Sequence, residues 1–176
     1  MLQLSASLLS RPVVSLRTSG QIATVESAII NPNNLKIEGF YCTDKFSHKT
    51  LVLLTQDIRD NIKQGLIVND HEVLTEPDEL IRLKSIMEMQ FELLGKSVET
   101  VSKHKVGKIN DFAVDNQTLY VQKLYVGPTL IKSLTSGQIS VDRNQIVEIT
   151  NRRIVIKDLD QPEKEQAGLR APAPAV

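Results

Sequence analysis

Apolar and polar residues alternate along most of this chain in runs too short for helices. Leu35-Lys36-Ile37-Glu38 and Leu119-Tyr120-Val121-Gln122 place an aliphatic residue at every second position, the period of a strand with one buried face. Leu66-Ile67-Val68 and Ile154-Val155-Ile156 are branched apolar runs bounded by polar residues, the pattern of more deeply buried strands. Turn formers separate them: Ser19-Gly20, Asn31-Pro32-Asn33-Asn34, Asn69-Asp70, Asp115-Asn116-Gln117 and Gly127-Pro128. Many short strands at close spacing predict small antiparallel β-barrels. One stretch differs. From Pro77, the residues Leu80, Leu83, Ile86, Met87, Phe91 and Leu94 recur at threes and fours, which predicts a single helix over 77–94 ended by Gly95. Its acidic Asp78 and Glu79 suit the positive end of a helix dipole.

The strand pattern occurs twice. Leu8-Leu9-Ser10-Arg11-Pro12-Val13 is answered by Leu93-Leu94-Gly95-Lys96-Ser97-Val98. Leu35, Ile37 and Tyr41 each precede Leu119, Val121 and Tyr125 by 84 positions. Leu51, Leu53, Ile58, Leu66, Val68 and Asp70 each precede Ile139, Val141, Ile146, Ile154, Ile156 and Asp158 by 88. Two stable offsets mark a duplication with a small change in loop length. A Gly-polar-Ile step follows each opening motif, Gly20-Gln21-Ile22 and Gly107-Lys108-Ile109. Aligned on those glycines, copy one has three more residues before its Asn31 turn than copy two has before Asp115, and Thr24 stands opposite Asp111. That difference predicts a bulge or a longer first hairpin in copy one. The expected organisation is a first copy over 1–76, the helix over 77–94, a second copy over 95–159, and a disordered tail over 160–176 rich in Pro, Glu, Gln and Ala.

The order of these motifs, found twice, resembles the PRC-barrel family. That small β-barrel is known from the cytoplasmic domain of the photosynthetic reaction-centre H subunit and the C-terminal domain of the bacterial ribosomal small-subunit maturation factor. The likeness covers roughly residues 7–75 and 92–158 and is similar to the stand-alone tandem PRC-barrel proteins of bacteria. The resemblance implies a mainly β fold of two tandem barrels, a role in assembling complexes, and no catalytic residue, cofactor or metal.

Charge and chemistry add little to that picture. The 176 residues carry 21 Lys/Arg and 21 Asp/Glu. The ten Lys/Arg and seven Asp/Glu of residues 95–160 leave the second copy mildly basic. No apolar run approaches the roughly 18 residues of a bilayer span. The single cysteine, Cys42, excludes an internal disulfide and multi-cysteine metal sites, so the expected compartment is the cytoplasm. It follows Phe40-Tyr41 on a predicted strand and reads as a buried or half-buried thiol. His48, His71 and His104 stand apart from one another, without metal-ligand spacing. Neither glycine turn carries the residues of a phosphate-binding loop.

The basic residues Lys103, His104, Lys105 and Lys108, joined by Arg152 and Arg153 if the fold brings the loops together, form the one candidate contact surface. They could meet RNA phosphates, an anionic lipid surface or an acidic partner. Solvated lysine-rich turns explain them more simply, and no aromatic residue interleaves them for base stacking. The expected function is a non-enzymatic binding or adaptor module with an unidentified protein partner. The alternative is a ribosome- or RNA-associated maturation factor. Pairing of the barrels within one chain or between chains stays open.

Overall fold

The computed structural model describes residues 1–128 and 137–159; the tail expected to be disordered lies outside them. The fold is mainly β. In chain order it comprises β1 (Leu2–Leu4), β2 (Pro12–Ser15), β3 (Gln21–Asn31), β4 (Lys36–Asp44), β5 (Thr50–Leu54), β6 (Ile58–Ile62), β7 (Gly65–Val68) and β8 (Leu74–Thr75). A short helix, α1 (Lys84–Glu88), precedes β9 (Ser97–Thr100), β10 (Lys105–Asp115), β11 (Val121–Gly127), β12 (Ile139–Asp142), β13 (Ile146–Ile149) and β14 (Arg153–Ile156).

The duplication is visible in the strand order. The first sheet runs β6-β7-β2-β3-β4-β5-β8, and the second runs β13-β14-β9-β10-β11-β12 with β1 beside β10. Six strands therefore correspond one to one. In each half the first strand pairs in parallel with the last, Val13 with Leu66 and Val98 with Ile154, and antiparallel with the long second strand. The ladders themselves are open, ending at β6 and β8 in one sheet and at β12 and β13 in the other. Leu8 and Leu93, Val13 and Val98, and Leu66 and Ile154 are all buried at matching places. A single apolar cluster includes core residues of both halves.

The opening motif earns its likeness through its backbone. Ser10 and Gly95 both take positive φ, 56° and 77°. The Ser10 amide donates to the Val25 carbonyl and the Val25 amide to Arg11, as Gly95 donates to Ile109 and Ile109 to Lys96. These bonds align Ile109 with Val25, not with Ile22. Gly107 consequently falls opposite Val98 in the ladder, where Ala23 faces Val13. It is a strand glycine, since a Cβ there would lie 2.0 Å from the Gly127 carbonyl oxygen. The expected three-residue difference is therefore reduced: β3 and β10 are both 11 residues, and the first hairpin carries a ladder irregularity in both copies. Copy one is longer by one residue in the preceding turn, and Asp111 corresponds to Ser27 at the 84 offset.

The helix expected over 77–94 is also shorter. Pro77–Glu79 forms a 3-10 turn and only Lys84–Glu88 is α-helical. Gln90 turns left-handed at φ 44°, and Phe91 and Leu93 then enter the core at a period of two. Burial of those two side chains, at about 1.5–3 kcal/mol each, outweighs the weak helical preference of a few exposed turns. The remaining helix packs on β3.

Besides the pairing of β1 with β10, the halves meet at their hairpin tips. Leu35 and Leu119 each follow a turn in the left-handed region, φ 53° and 58°, and both are buried. The Ile37 amide donates to the Leu119 carbonyl and the Val121 amide to the Leu35 carbonyl, each at 2.9 Å, with Lys36 bridging Tyr120 between them. The Arg143 guanidinium donates to the carbonyls of Asn34 (2.5 Å) and Val121 (3.0 Å) and lies 4.9 Å from the Tyr120 ring centroid. Nearby, the Asn61 side-chain amide donates to the Asn116 side-chain oxygen, and the Asn116 side-chain amide donates to the Asn61 backbone carbonyl. Leu119→Ala is expected to cost about 2–5 kcal/mol and to shift the whole urea transition. Circular dichroism and the fluorescence of Tyr41, Tyr120 and Tyr125 should then move together; two separated transitions would show that the tips do not couple the halves.

Candidate functional site

The structure divides the six candidate basic residues. Lys103 occupies the β9–β10 turn at φ 64°, with His104 beside it. Lys105 pairs with Glu99 and Lys108 with Ser97 on one side of β9, and Arg153 pairs with Ser97 on the other. Alternation along β9 puts Ser97 and Glu99 on its outward face, so Lys105, Lys108 and Arg153 surround Glu99. Arg153 forms an ion pair with it at 3.1 Å. Arg152 lies in the β13–β14 turn, just before Arg153, which pairs with Ser97, and therefore at the opposite end of β9 from Lys103. All six are exposed, spread from one end of β9 to the other, and the Glu99 carboxylate stands among them.

Other charged groups of the repeat hold loops. Asp70 accepts from the His71 amide (2.7 Å) and pairs with Arg17. Its counterpart Asp158 accepts from the Ser102 amide and hydroxyl. Both carboxyls lie below their ordinary range, Asp70 chiefly through the His71 amide and Asp158 through the Ser102 hydroxyl. Arg11 donates to the Ile62 and Gly65 carbonyls, and Lys96 to that of Asn151 (2.6 Å). In both halves the basic residue of the opening motif thus ties down the turn of the final hairpin.

One cluster escaped sequence reasoning. Asp44, at the end of β4, is buried and accepts from the Ser47 amide and hydroxyl at 2.7 and 2.6 Å. His71 Nε2 lies 2.6 Å from its other oxygen, and the Phe46 ring packs edge-on against the imidazole at 5.5 Å. Asp44-x-x-Ser47 is a local turn signal, but His71 arrives from 27 residues away. The trio is not a nucleophilic triad: the Ser47 proton is directed to the carboxylate and not to the imidazole. Cys42 is likewise committed to the core, where burial pushes its thiol up to about 12 and lowers its reactivity. His48 is exposed in the intervening turn.

Two adjoining cavities lie along β3. One of about 460 Å³ lies between β3 and α1, with Ile29, Ile30, Tyr41 and Met87 in its walls. The other, about 220 Å³, is lined by the equivalent pairs Leu8 and Leu93, Leu9 and Leu94, and Ala28 and Phe112. Leu9 and Leu94 are 40% and 44% exposed there. Among the described residues no three His, Cys, Asp or Glu side chains converge as a metal site, and no helix is long and apolar enough to cross a membrane. No family model matches the chain, and no curated protein matches it in sequence.

Burial raises the Asp44 carboxyl, but the hydrogen bonds from Ser47 and His71 outweigh it and hold the group at about 2. Its unfolded value is about 3.9, so its contribution is complete above pH about 5 and is lost as pH falls through 4 towards 2. Asp44→Asn should lower stability at neutral pH and flatten acid unfolding in that window, read by urea midpoints at several pH values. An unchanged acid limb in the variant would remove Asp44 from this role.

Proposed function

We propose that this chain is a non-enzymatic binding or adaptor protein of two PRC-type barrel modules, serving protein–protein interaction or complex assembly. The repeated strand order, with a parallel pairing of first and last strands in each half, supports the modular reading. The carrying observation is the junction groove. Equivalent leucines from both copies meet there with exposed faces, a place where a partner protein would touch both modules at once. The chemistry-bearing side chains support a non-enzymatic role, because Asp44, Ser47, Asp70, Asp158 and Cys42 each have a structural use.

The ion pair of Glu99 with Arg153 inside the basic cluster favours a protein partner over RNA. A phosphate-tracking interface of six to ten contacts would lose about 10³–10⁵ in affinity between about 50 and 200 mM salt. Affinity capture with the intact chain should retain a stoichiometric protein partner across that salt range. Leu9→Asp/Leu94→Asp should weaken it at least about tenfold, whereas Lys103→Ala/Lys105→Ala/Lys108→Ala should leave it in place. Capture that vanishes with salt or ribonuclease, or that survives the leucine changes while the lysine changes abolish it, would overturn this reading.

A further inference from the structure

The two copies use one position differently. In the second half, β1 lies antiparallel along the end of β10, pairing Leu2, Gln3 and Leu4 with Asp115, Val114 and Ala113. It occupies the β10 side that β9 leaves vacant beyond Lys105–Lys108. The equivalent stretch of β3 is Ile29–Asn31, 84 positions earlier, where β2 reaches only Gln21–Thr24. The segment that should lie beside it is Met87–Met89, 85 positions after Leu2–Leu4. That segment is the end of α1 and the turn after it, not a strand. Among the described residues, Ile29–Asn31 therefore pair with β4 on one side and with no strand on the other.

A cavity fills the vacated place. It has a volume of about 460 Å³ and is lined by four consecutive residues, Ser27, Ala28, Ile29 and Ile30. Alternate side chains of a strand point to opposite faces, so a cavity touching four in succession borders the strand's edge. The facing wall is mixed, with Ile86, Met87 and Phe91 beside the polar Gln90 and Glu92. Glu92 lies at the boundary with the neighbouring groove, which also includes Glu26.

We propose that this edge takes up an extended segment of a partner protein as an added antiparallel strand. The segment has an apolar–polar–apolar pattern like Leu2-Gln3-Leu4, with a flanking Lys or Arg. This rests on the binding role proposed above and specifies its chemistry. The unpaired backbone groups of an edge strand supply the hydrogen bonds, and pockets for alternate side chains supply the selectivity. The wall formed by α1 would cover the apolar side chains, and the carboxylates of Glu26 and Glu92 complement a basic flank. A second copy of this chain is a poorer occupant. Its own β1 is held on β10, with Ser5 donating to Asp111 through its hydroxyl at 2.5 Å and its amide at 3.2 Å.

The test uses the full chain and a synthetic peptide, acetyl-Lys-Leu-Gln-Leu-Lys-amide. Saturating peptide should slow amide hydrogen exchange within Ile29–Asn31 at least about tenfold. Met87→Trp, which fills the cavity from a half-buried position, should weaken the peptide by at least about tenfold. Protection absent, protection located elsewhere, or equal binding by folded Met87→Trp would overturn the proposal. Protection of Ile29–Asn31 by self-association without peptide would also overturn it, in favour of a second copy. A captured partner that binds Met87→Trp and the intact chain equally would refute the edge but leave the binding role standing. Failure of the intact chain to capture any protein would refute the binding role, while the peptide measurement still decides the edge.

Discussion

Two backbone hydrogen bonds at the hairpin tips organise the molecule. Ile37 donates to Leu119 and Val121 to Leu35, so the tip of each half completes the other. The geometry requires a leucine in the left-handed region on both sides, at a cost of about 1–2 kcal/mol each. Burial of a leucine side chain contributes about 1.5–3 kcal/mol, which offsets that cost before the hydrogen bonds are counted. Arg143 and the Asn61–Asn116 pair lie near the same junction. Each module is near the size at which one core is only marginally stable, and sharing the tips gives both a common core.

The pseudo-symmetry is kept in the framework and broken at its margins. Six strands, the basic tether at Arg11 or Lys96, and the carboxylate clip at Asp70 or Asp158 occur in both halves. The margins carry β8 in one sheet and β1 in the other. The segment preceding the first framework strand is β1 in one copy and α1 in the other. This is where a strand edge without a neighbouring strand and a cavity beside it arise, and the functional proposals rest on these places because they are the ones folding has not used.

Much of the framework was legible in the sequence. The offsets of 84 and 88 align real structural counterparts, down to the paired positive φ of Leu35 and Leu119. The Gly-polar-Ile step misled because Gly20 borders a turn, whereas Gly107 serves a close strand contact. Both uses select glycine, and only the ladder register separates them. The apolar residues of 77–94 mixed two periods: partly covered helical positions to Met87, then an extended pair at Phe91 and Leu93. Asp44 and His71 could not be joined from sequence, since their contact depends on β4 and β7 ending together. The basic residues were visible as a group, but Glu99 among them becomes evident only from the pairing of β9 with both neighbours.

The central claim is that the two halves stand or fall through their tips. Native-state hydrogen exchange at the Ile37 and Val121 amides, followed across low urea concentrations, measures this directly. Both amides should exchange only through global opening, with equal free energies and the full urea dependence of complete unfolding. Exchange through a smaller opening at either amide, or free energies that differ between the two, would show that the halves separate while still folded and would contradict the account.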